Sequence, residues 1–222
     1  MSKILGIDCA GASLSVAVLE DEKTLAFELI TAPSGYPEIL VPTVQKVIKK
    51  AGLNYGDLDL IAAGRGAGSF TGVRIALATA SAIAMVTDKP ALGISNFAAS
   101  AFMIDEKTRT AADMIIAAIE TRRADFYVAA FAPDLSELGE PATLTADKVK
   151  DMLKGKVLIA GDAAQRLKDE LTTLLPSAAD LTVMKDTTPT AETIAKYALY
   201  NQGANLPLTP LYVSPAHVTC NR

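Results

Sequence analysis

The chain has 222 residues, half of them hydrophobic, and a formal net charge of −4 at pH 7. That length allows one or two domains, and an acidic balance argues against nucleic-acid binding by this chain alone, because phosphate contacts need clustered Lys and Arg. Cys9 and Cys220 lack the spacing of a disulfide framework, which favours a reduced, cytoplasmic compartment. We expect no signal peptide before Asp8 and no apolar segment of the ~18 residues that span a membrane.

The first half of the chain predicts an α/β unit. Short apolar segments bounded by turn residues are typical of strands, and a longer pattern of apolar residues at helical spacing is typical of helices. In chain order we predict strands at 4–8, 14–19 and 24–30, a helix at 37–51, a strand ending at Gly64 and a helix at 71–86.

A glycine run follows the fourth strand, with Gly64, Gly66, Gly68 and Gly72 in thirteen residues that lead into the second helix. Glycines at alternate positions let a backbone take positive φ, and a loop before a helix presents N–H groups to an anion. The Lys of a P-loop is missing, and Ser69 stands where a dinucleotide fingerprint needs its third glycine. Two hypotheses therefore stay open, an anion site and a structural turn.

Asp8 is the acidic candidate for such an anion site, since it ends the first strand. It would act there with Gly66, Gly68 and Ser69, as a magnesium–phosphate contact at the end of the strand. The alternative is that the carboxylate only caps its own turn.

The second half repeats this layout. Residues 115–120 and 126–131 predict strands, and Val157 to Gly161 echoes the strand before the glycine run. Helices are predicted at 147–153, 163–174 and 191–200, and a return segment at 207–213 is expected to pack on the rest. We interpret the chain as two strand–strand–strand–helix–strand–helix units, 1–105 and 106–222. This arrangement suggests the duplicated actin-like fold of the ASKHA and ribonuclease H-like class, with mixed sheets flanked by helices.

The turn between the first two strands of the second half contains Glu120, Arg122, Arg123 and Asp125. Two arginines would crowd a turn that wraps a phosphate. We expect them to pair with the two local carboxylates, the alternative being that they bind an external acidic group. His217 is the only histidine, which excludes a histidine metal pair and most nucleophile–histidine arrangements. We therefore expect no metal site and no catalytic role for His217.

The second helix carries small residues at helical spacing that allow another element to approach closely. We place this strip, together with one side of the first helix, in an interface with a partner protein, the alternative being packing on the chain's own sheet. The predicted interface residues are Leu40, Val44, Val47, Val73, Ala76, Leu77, Ala80 and Ala84.

The run from Gly64 to Ile75 resembles the signature of the TsaB (YeaZ) family, and the resemblance covers essentially the whole chain, including Asp8, Pro42 and the turn at Glu120. It implies an actin-like pseudo-enzyme subunit that pairs with TsaD, the catalytic subunit, through its first two helices. With TsaE, an ATPase, such complexes place a threonylcarbamoyl group on N6 of adenosine 37 in tRNAs reading ANN codons. The resemblance implies indirect tRNA contact, no tightly bound cofactor, and ATP or ADP at the complex interface.

The chain departs from the family at Cys9, at Glu120 and Thr121, and at Gly35 to Pro37, which puts any nucleotide contact in question. An alternative function is a stand-alone ATP-dependent phosphotransferase using Asp8 and the glycine run. A peptidase has no chemical basis without a second histidine. The isolated chain could also form a homodimer through the same helices.

Overall fold

Two five-stranded sheets with the same strand order form the protein. The computed structural model describes residues 1–31, 36–175 and 180–213. Gly35, His217 and Cys220 lie outside the described residues. The duplicated mixed sheets flanked by helices confirm the predicted α/β architecture.

The first sheet has the order β3-β2-β1-β4-β5. Strands β1, β2 and β3 pair antiparallel, and β1, β4 and β5 pair parallel. The elements of this half are β1 Lys3–Asp8, β2 Leu14–Glu20, β3 Lys23–Ile30, α1 Tyr36–Lys50, a 3-10 turn Tyr55–Asp57, β4 Leu60–Gly64, α2 Phe70–Thr87, β5 Ala91–Ile94, α3 Asn96–Phe102 and α4 Glu106–Thr110.

The second sheet has the equivalent order β8-β7-β6-β9-β10, with the same pattern of parallel and antiparallel pairs. Its elements are β6 Met114–Glu120, β7 Phe126–Phe131, β8 Ala142–Leu144, α5 Ala146–Lys150, β9 Val157–Ala160, α6 Ala164–Leu174, β10 Leu181–Val183 and α7 Ala191–Tyr200. The register places Ile7 beside Ala63 and Ala117 beside Ala160, so the residue equivalent to Asp8 is Ala118. Both strands end at a carboxylate, β1 at Asp8 and β6 at Glu120, which lies two residues beyond Ala118.

The two halves exchange a helix. Helix α7 packs on β1, β2 and β4 of the first sheet, and α3 packs on β6 and β7 of the second. Gly6 on β1 permits the approach of α7, because a Cβ there would overlap the carbonyl oxygen of Ala191. The packing therefore crosses the 105/106 division, which stays a prediction.

The C-terminal segment returns to the first half, as predicted for 207–213. The Gly93 N–H donates to the Leu206 carbonyl at 3.1 Å, and the Leu211 N–H donates to the Arg65 carbonyl at 2.7 Å. The segment thus covers the edge strand β5 and reaches the glycine run.

Helix α2 corrects one expectation from composition. Its 18 residues have a mean hydropathy of 1.5, so by length and composition alone it is apolar enough to cross a membrane. Only 28% of that stretch is buried inside the protein. Its outward-facing side combines small and apolar residues with Thr71, Ser81 and a single charge, that of Arg74.

Candidate partner-binding face and interdomain cleft

A cavity of about 670 Å³ lies between the two halves. It is lined by the β1–β2 turn, the start of α1, the end of the glycine run and the first turn of α2, together with the β6–β7 turn and Asp162. This is where a phosphate-binding site would have to lie if the glycine run served one.

The glycine run packs on the chain's own β1–β2 turn. Gly68 has a φ of +146°, and a Cβ on it would overlap the Ala10 carbonyl oxygen. A Cβ on Gly72 would overlap the Cys9 carbonyl oxygen. Glycine is therefore required here for close backbone contact within the protein.

Hydrogen bonds inside the protein already use three N–H groups of this region. The Gly66 N–H donates to Asn96 Oδ1 at 3.0 Å, and the Ser69 N–H donates to the Ala10 carbonyl at 2.7 Å. The Gly72 N–H donates to Ser69 Oγ at 3.1 Å, which makes Ser69 the N-cap of α2. These groups are not free for an anion, so the geometry favours the structural-turn hypothesis. The anion site at Gly66, Gly68 and Ser69 stays a prediction.

Asp8 is buried and bonded within the protein. Asn96 Nδ2 donates to its Oδ1 at 2.8 Å, and only 3% of the residue is exposed. Burial raises the pKa of Asp8 to about 7, against the effect of its hydrogen bonds from Asn96 and from the Ala10 backbone. A Cβ on Gly64 would overlap this carboxylate. Asp8 thus serves as an internal anchor, and it does not line the cavity.

Asn96 is the residue that sequence reasoning missed. Its side chain joins Asp8 to the Gly66 backbone, and its own N–H donates to the Gly66 carbonyl at 2.7 Å. The local signal is a Ser-Asn pair directly after a strand, where Ser95 caps α3. That signal marks a helix start and does not reveal a partner 88 residues away.

The opposite wall of the cavity contains an ion pair between Glu120 and Arg166. Arg166 Nε and Nη2 donate to the two carboxylate oxygens at 2.9 and 2.8 Å. The Arg166 guanidinium also lies 3.8 Å from the centroid of the Phe126 ring. Burial raises the pKa of Glu120, but the hydrogen bond and charge of Arg166 outweigh burial and hold it below its usual value.

The expected pairing of the turn arginines is confirmed in part. Arg123 pairs with Asp125 at 3.0 Å. Arg122, with a φ of +59°, donates its backbone N–H to the Glu120 carboxylate at 2.7 Å. The side-chain partner of Glu120 is Arg166 of α6, and not Arg122.

The cavity is lined by charged groups of both signs. Among its described lining residues, Arg122 is the one cation, while Glu120 and Asp162 are acids. Burial and the charge of Glu120 raise the pKa of Asp162, which accepts the Glu120 N–H at 2.9 Å.

The predicted partner interface is mostly core, and this corrects the prediction. Seven of its eight residues are at most 5% exposed and pack in the hydrophobic core of the first half, while Ala84 is half-buried. Small residues there let α2 lie close to its own sheet. The buried seven are Leu40, Val44, Val47, Val73, Ala76, Leu77 and Ala80.

The opposite side of α2 is exposed instead. We call this side the outer face; it consists of Thr71, Arg74, Ala78, Ser81, Ala82, Met85 and Val86. Met85 and Val86 are 79% and 87% exposed. The spacing of three to four residues places them on one stripe, which contains a single charge.

Comparisons with known proteins agree on one family. The sequence matches the family profile described as TsaD: tRNA N6-adenosine threonylcarbamoyltransferase over residues 31–200. The tRNA threonylcarbamoyladenosine biosynthesis protein TsaB of Escherichia coli (strain K12) is 35% identical over 133 residues, which are 60% of this chain and 56% of that protein. The Haemophilus influenzae protein of that name is 34% identical over 125 residues, 56% of this chain and 51% of its own. The chain thus spans about half the length of these curated relatives.

The fold has solved counterparts as well. YeaZ from Pseudomonas aeruginosa superposes with a TM-score of 0.75 at 24% identity, covering 96% of this chain and all of that one. The ethanolamine utilization protein EutJ from Carboxydothermus hydrogenoformans gives a TM-score of 0.53 at 10% identity, covering 89% and 90%. These likenesses confirm the actin-like fold. The family profile, which matches residues 31–200, shows that the chain belongs to the TsaD family.

Proposed function

We propose that this chain is a non-catalytic subunit of the complex that forms N6-threonylcarbamoyladenosine at position 37 of tRNAs reading ANN codons. It acts in the cytoplasm as scaffold and activator of a TsaD-like catalytic subunit, together with a TsaE-like ATPase. Membership in the family and the similarity to TsaB proteins support this proposal. The net charge of −4 favours tRNA contact through the complex.

The observation that carries the proposal is the outer face of α2. An 18-residue helix with one charged residue exposes Met85 and Val86 almost fully. Contiguous exposed apolar surface on a folded protein marks an interaction site, and methionine is enriched in interfaces. A TsaD-like subunit would cover this face.

The absence of catalysis by this chain is supported by the cleft. The Gly66 and Ser69 N–H groups are bonded within the protein, Asp8 is buried against Asn96, and Glu120 is paired with Arg166. We propose that this chain alone holds no nucleotide tightly and that ATP or ADP binds at the complex interface. Titration of the isolated chain with Mg-ATP tests this, since tight binding lost in Asp8→Ala would favour a phosphotransferase.

Binding to a TsaD-like protein tests the docking face. A glutamate at Ala80 would enter the core and unfold the chain, so the informative substitution is Ala82→Glu on the outer face. We expect a stable pair for the wild type and at least about a tenfold loss of affinity for Ala82→Glu, since an unpaired charge would be buried. Thr172→Glu, on the exposed side of α6, is the matched control and should bind normally.

Two results would contradict the proposal. If the wild-type chain forms no complex, the chain is not this subunit. If Ala82→Glu binds as tightly as the control, the partner does not cover the outer face. The mass of the isolated chain in solution tests in addition whether this face self-associates into a homodimer without its partner.

A further inference from the structure

Arg74 is the one charged residue of α2, and it lies on the outer face. Within the described residues no carboxylate forms an ion pair with it. Every other exposed position of this helix is uncharged. The outer face therefore carries a single cation, to which the described residues give no carboxylate partner.

Two aromatic side chains hold the guanidinium in place. Its Cζ lies 3.8 Å from the centroid of the Phe70 ring, and its Nε donates to the Tyr212 hydroxyl at 2.7 Å. The two rings are themselves in contact, with centroids 5.5 Å apart. These contacts involve one face of the Arg74 guanidinium and its Nε. Both terminal NH₂ groups of Arg74 have no hydrogen-bond partner among the described residues.

The position of Tyr212 is fixed by the backbone before it. The Leu211 N–H donates to the Arg65 carbonyl at 2.7 Å, and a Cβ on Gly66 would lie only 2.9 Å from the Leu211 carbonyl oxygen. The glycine run therefore anchors the C-terminal segment, and that segment orients Arg74. Pre-organisation of this kind lowers the entropy lost when the guanidinium binds an acceptor.

Covering the outer face would remove water from Arg74. A buried guanidinium without an acceptor is strongly unfavourable, whereas a carboxylate accepts two parallel N–H bonds from it. We propose that Arg74 pairs with a carboxylate of the TsaD-like partner and selects that partner over proteins that lack an acid there. This inference rests on the proposed function, since it requires a partner on the outer face.

Calorimetry of the full chain with the TsaD-like protein tests the proposal. We expect Arg74→Gln to weaken binding by about 30-fold or more, the loss typical of truncating a buried charge pair. Tyr212→Phe keeps the ring but loses the orienting hydroxyl, and should weaken binding by about three- to tenfold. The matched control Lys148→Gln neutralises an exposed cation on α5 and should leave affinity unchanged.

A second readout identifies the acceptor directly. In Arg74→Lys the introduced amine can be joined by a carbodiimide to an adjacent carboxylate, with formation of an amide bond and release of the urea. We expect one such cross-link to a partner Asp or Glu, found by mass spectrometry and absent in Arg74→Gln.

The outcomes separate this inference from the proposed function. If Ala82→Glu blocks binding while Arg74→Gln binds like the wild type and no cross-link forms, the carboxylate pairing is wrong and the docking face stands. If the wild type forms no complex, both are wrong. If Arg74→Gln loses stability while its affinity for the partner is unchanged, the carboxylate pairing is wrong, and Arg74 only holds the C-terminal segment in place.

Discussion

Replacing Asp8 by Asn should change how the stability of the protein depends on pH. Burial raises the pKa of this carboxyl from 3.8 to about 7. The native state therefore keeps the Asp8 proton over a pH range in which the unfolded chain has released it. The tighter binding of this proton by the native state contributes to the free energy of unfolding. That contribution is fully present below about pH 4 and is lost as the pH rises through about 7.

The size of the effect follows from the shift. Each pKa unit corresponds to about 1.4 kcal/mol, so Asp8 alone should lower the free energy of unfolding by about 2–3 kcal/mol between pH 5 and pH 8. Asp8→Asn keeps an oxygen to accept the Asn96 Nδ2–H but cannot ionise. The variant should lack this decline, so that its stability relative to the wild type rises with pH.

Urea unfolding of both proteins across this pH range measures the difference between their free energies of unfolding. The contributions of the other titrating groups are the same in both proteins and cancel in this difference. Parallel profiles for the wild type and Asp8→Asn would show that Asp8 has the same pKa in the folded and unfolded states. That result would refute the burial argument, and an NMR titration of the Asp8 carboxyl carbon would locate the error.

Three further predictions concern the groups around the cleft. Gly68→Ala should cost about 2–4 kcal/mol in urea unfolding, because its φ is +146° and its Cβ would overlap backbone, while Gly11→Ala, in open space, should change little. Arg166→Ala should cost about 1 kcal/mol by the same assay, since it breaks a bidentate pair with Glu120 in which each side chain is about one-third exposed, and an unchanged midpoint would contradict this. Cys9 is buried with a raised thiol pKa, so mass spectrometry should find it unlabelled by a thiol reagent until the chain unfolds.

The duplicated fold could be predicted from the sequence because most strands are long enough to show a pattern. Strands of six to eight residues such as β1, β2 and β3 were identified. Strands β5 and β10 were missed, because four and three residues are too few to show an alternation of apolar and polar side chains. The exchange of α3 and α7 was also missed, since periodicity reports which side of a helix is apolar and not which sheet it meets.

The site was only partly predictable, and the reason lies in α2. An amphipathic helix reveals its buried side, but α2 is apolar nearly all round, so its sequence does not say which side meets the sheet. The sequence predicts Ala76 and Ala80 on a partner face, whereas both residues are buried in the core. For the glycine run, the sequence leaves an anion site and a structural turn open, and the close backbone contacts that favour the turn come from the fold. The Asn96 link to Asp8 likewise joins residues that only the fold brings together.

The central claim is that this chain activates a catalytic partner by docking through the outer face of α2. The most direct measurement is the amount of N6-threonylcarbamoyladenosine formed on tRNA by TsaD-like and TsaE-like proteins, with wild-type chain, with Ala82→Glu, or without the chain. We expect product with the wild type, little with Ala82→Glu or without the chain, and none from the chain alone. Product from the chain alone, or full activity with Ala82→Glu, would contradict it.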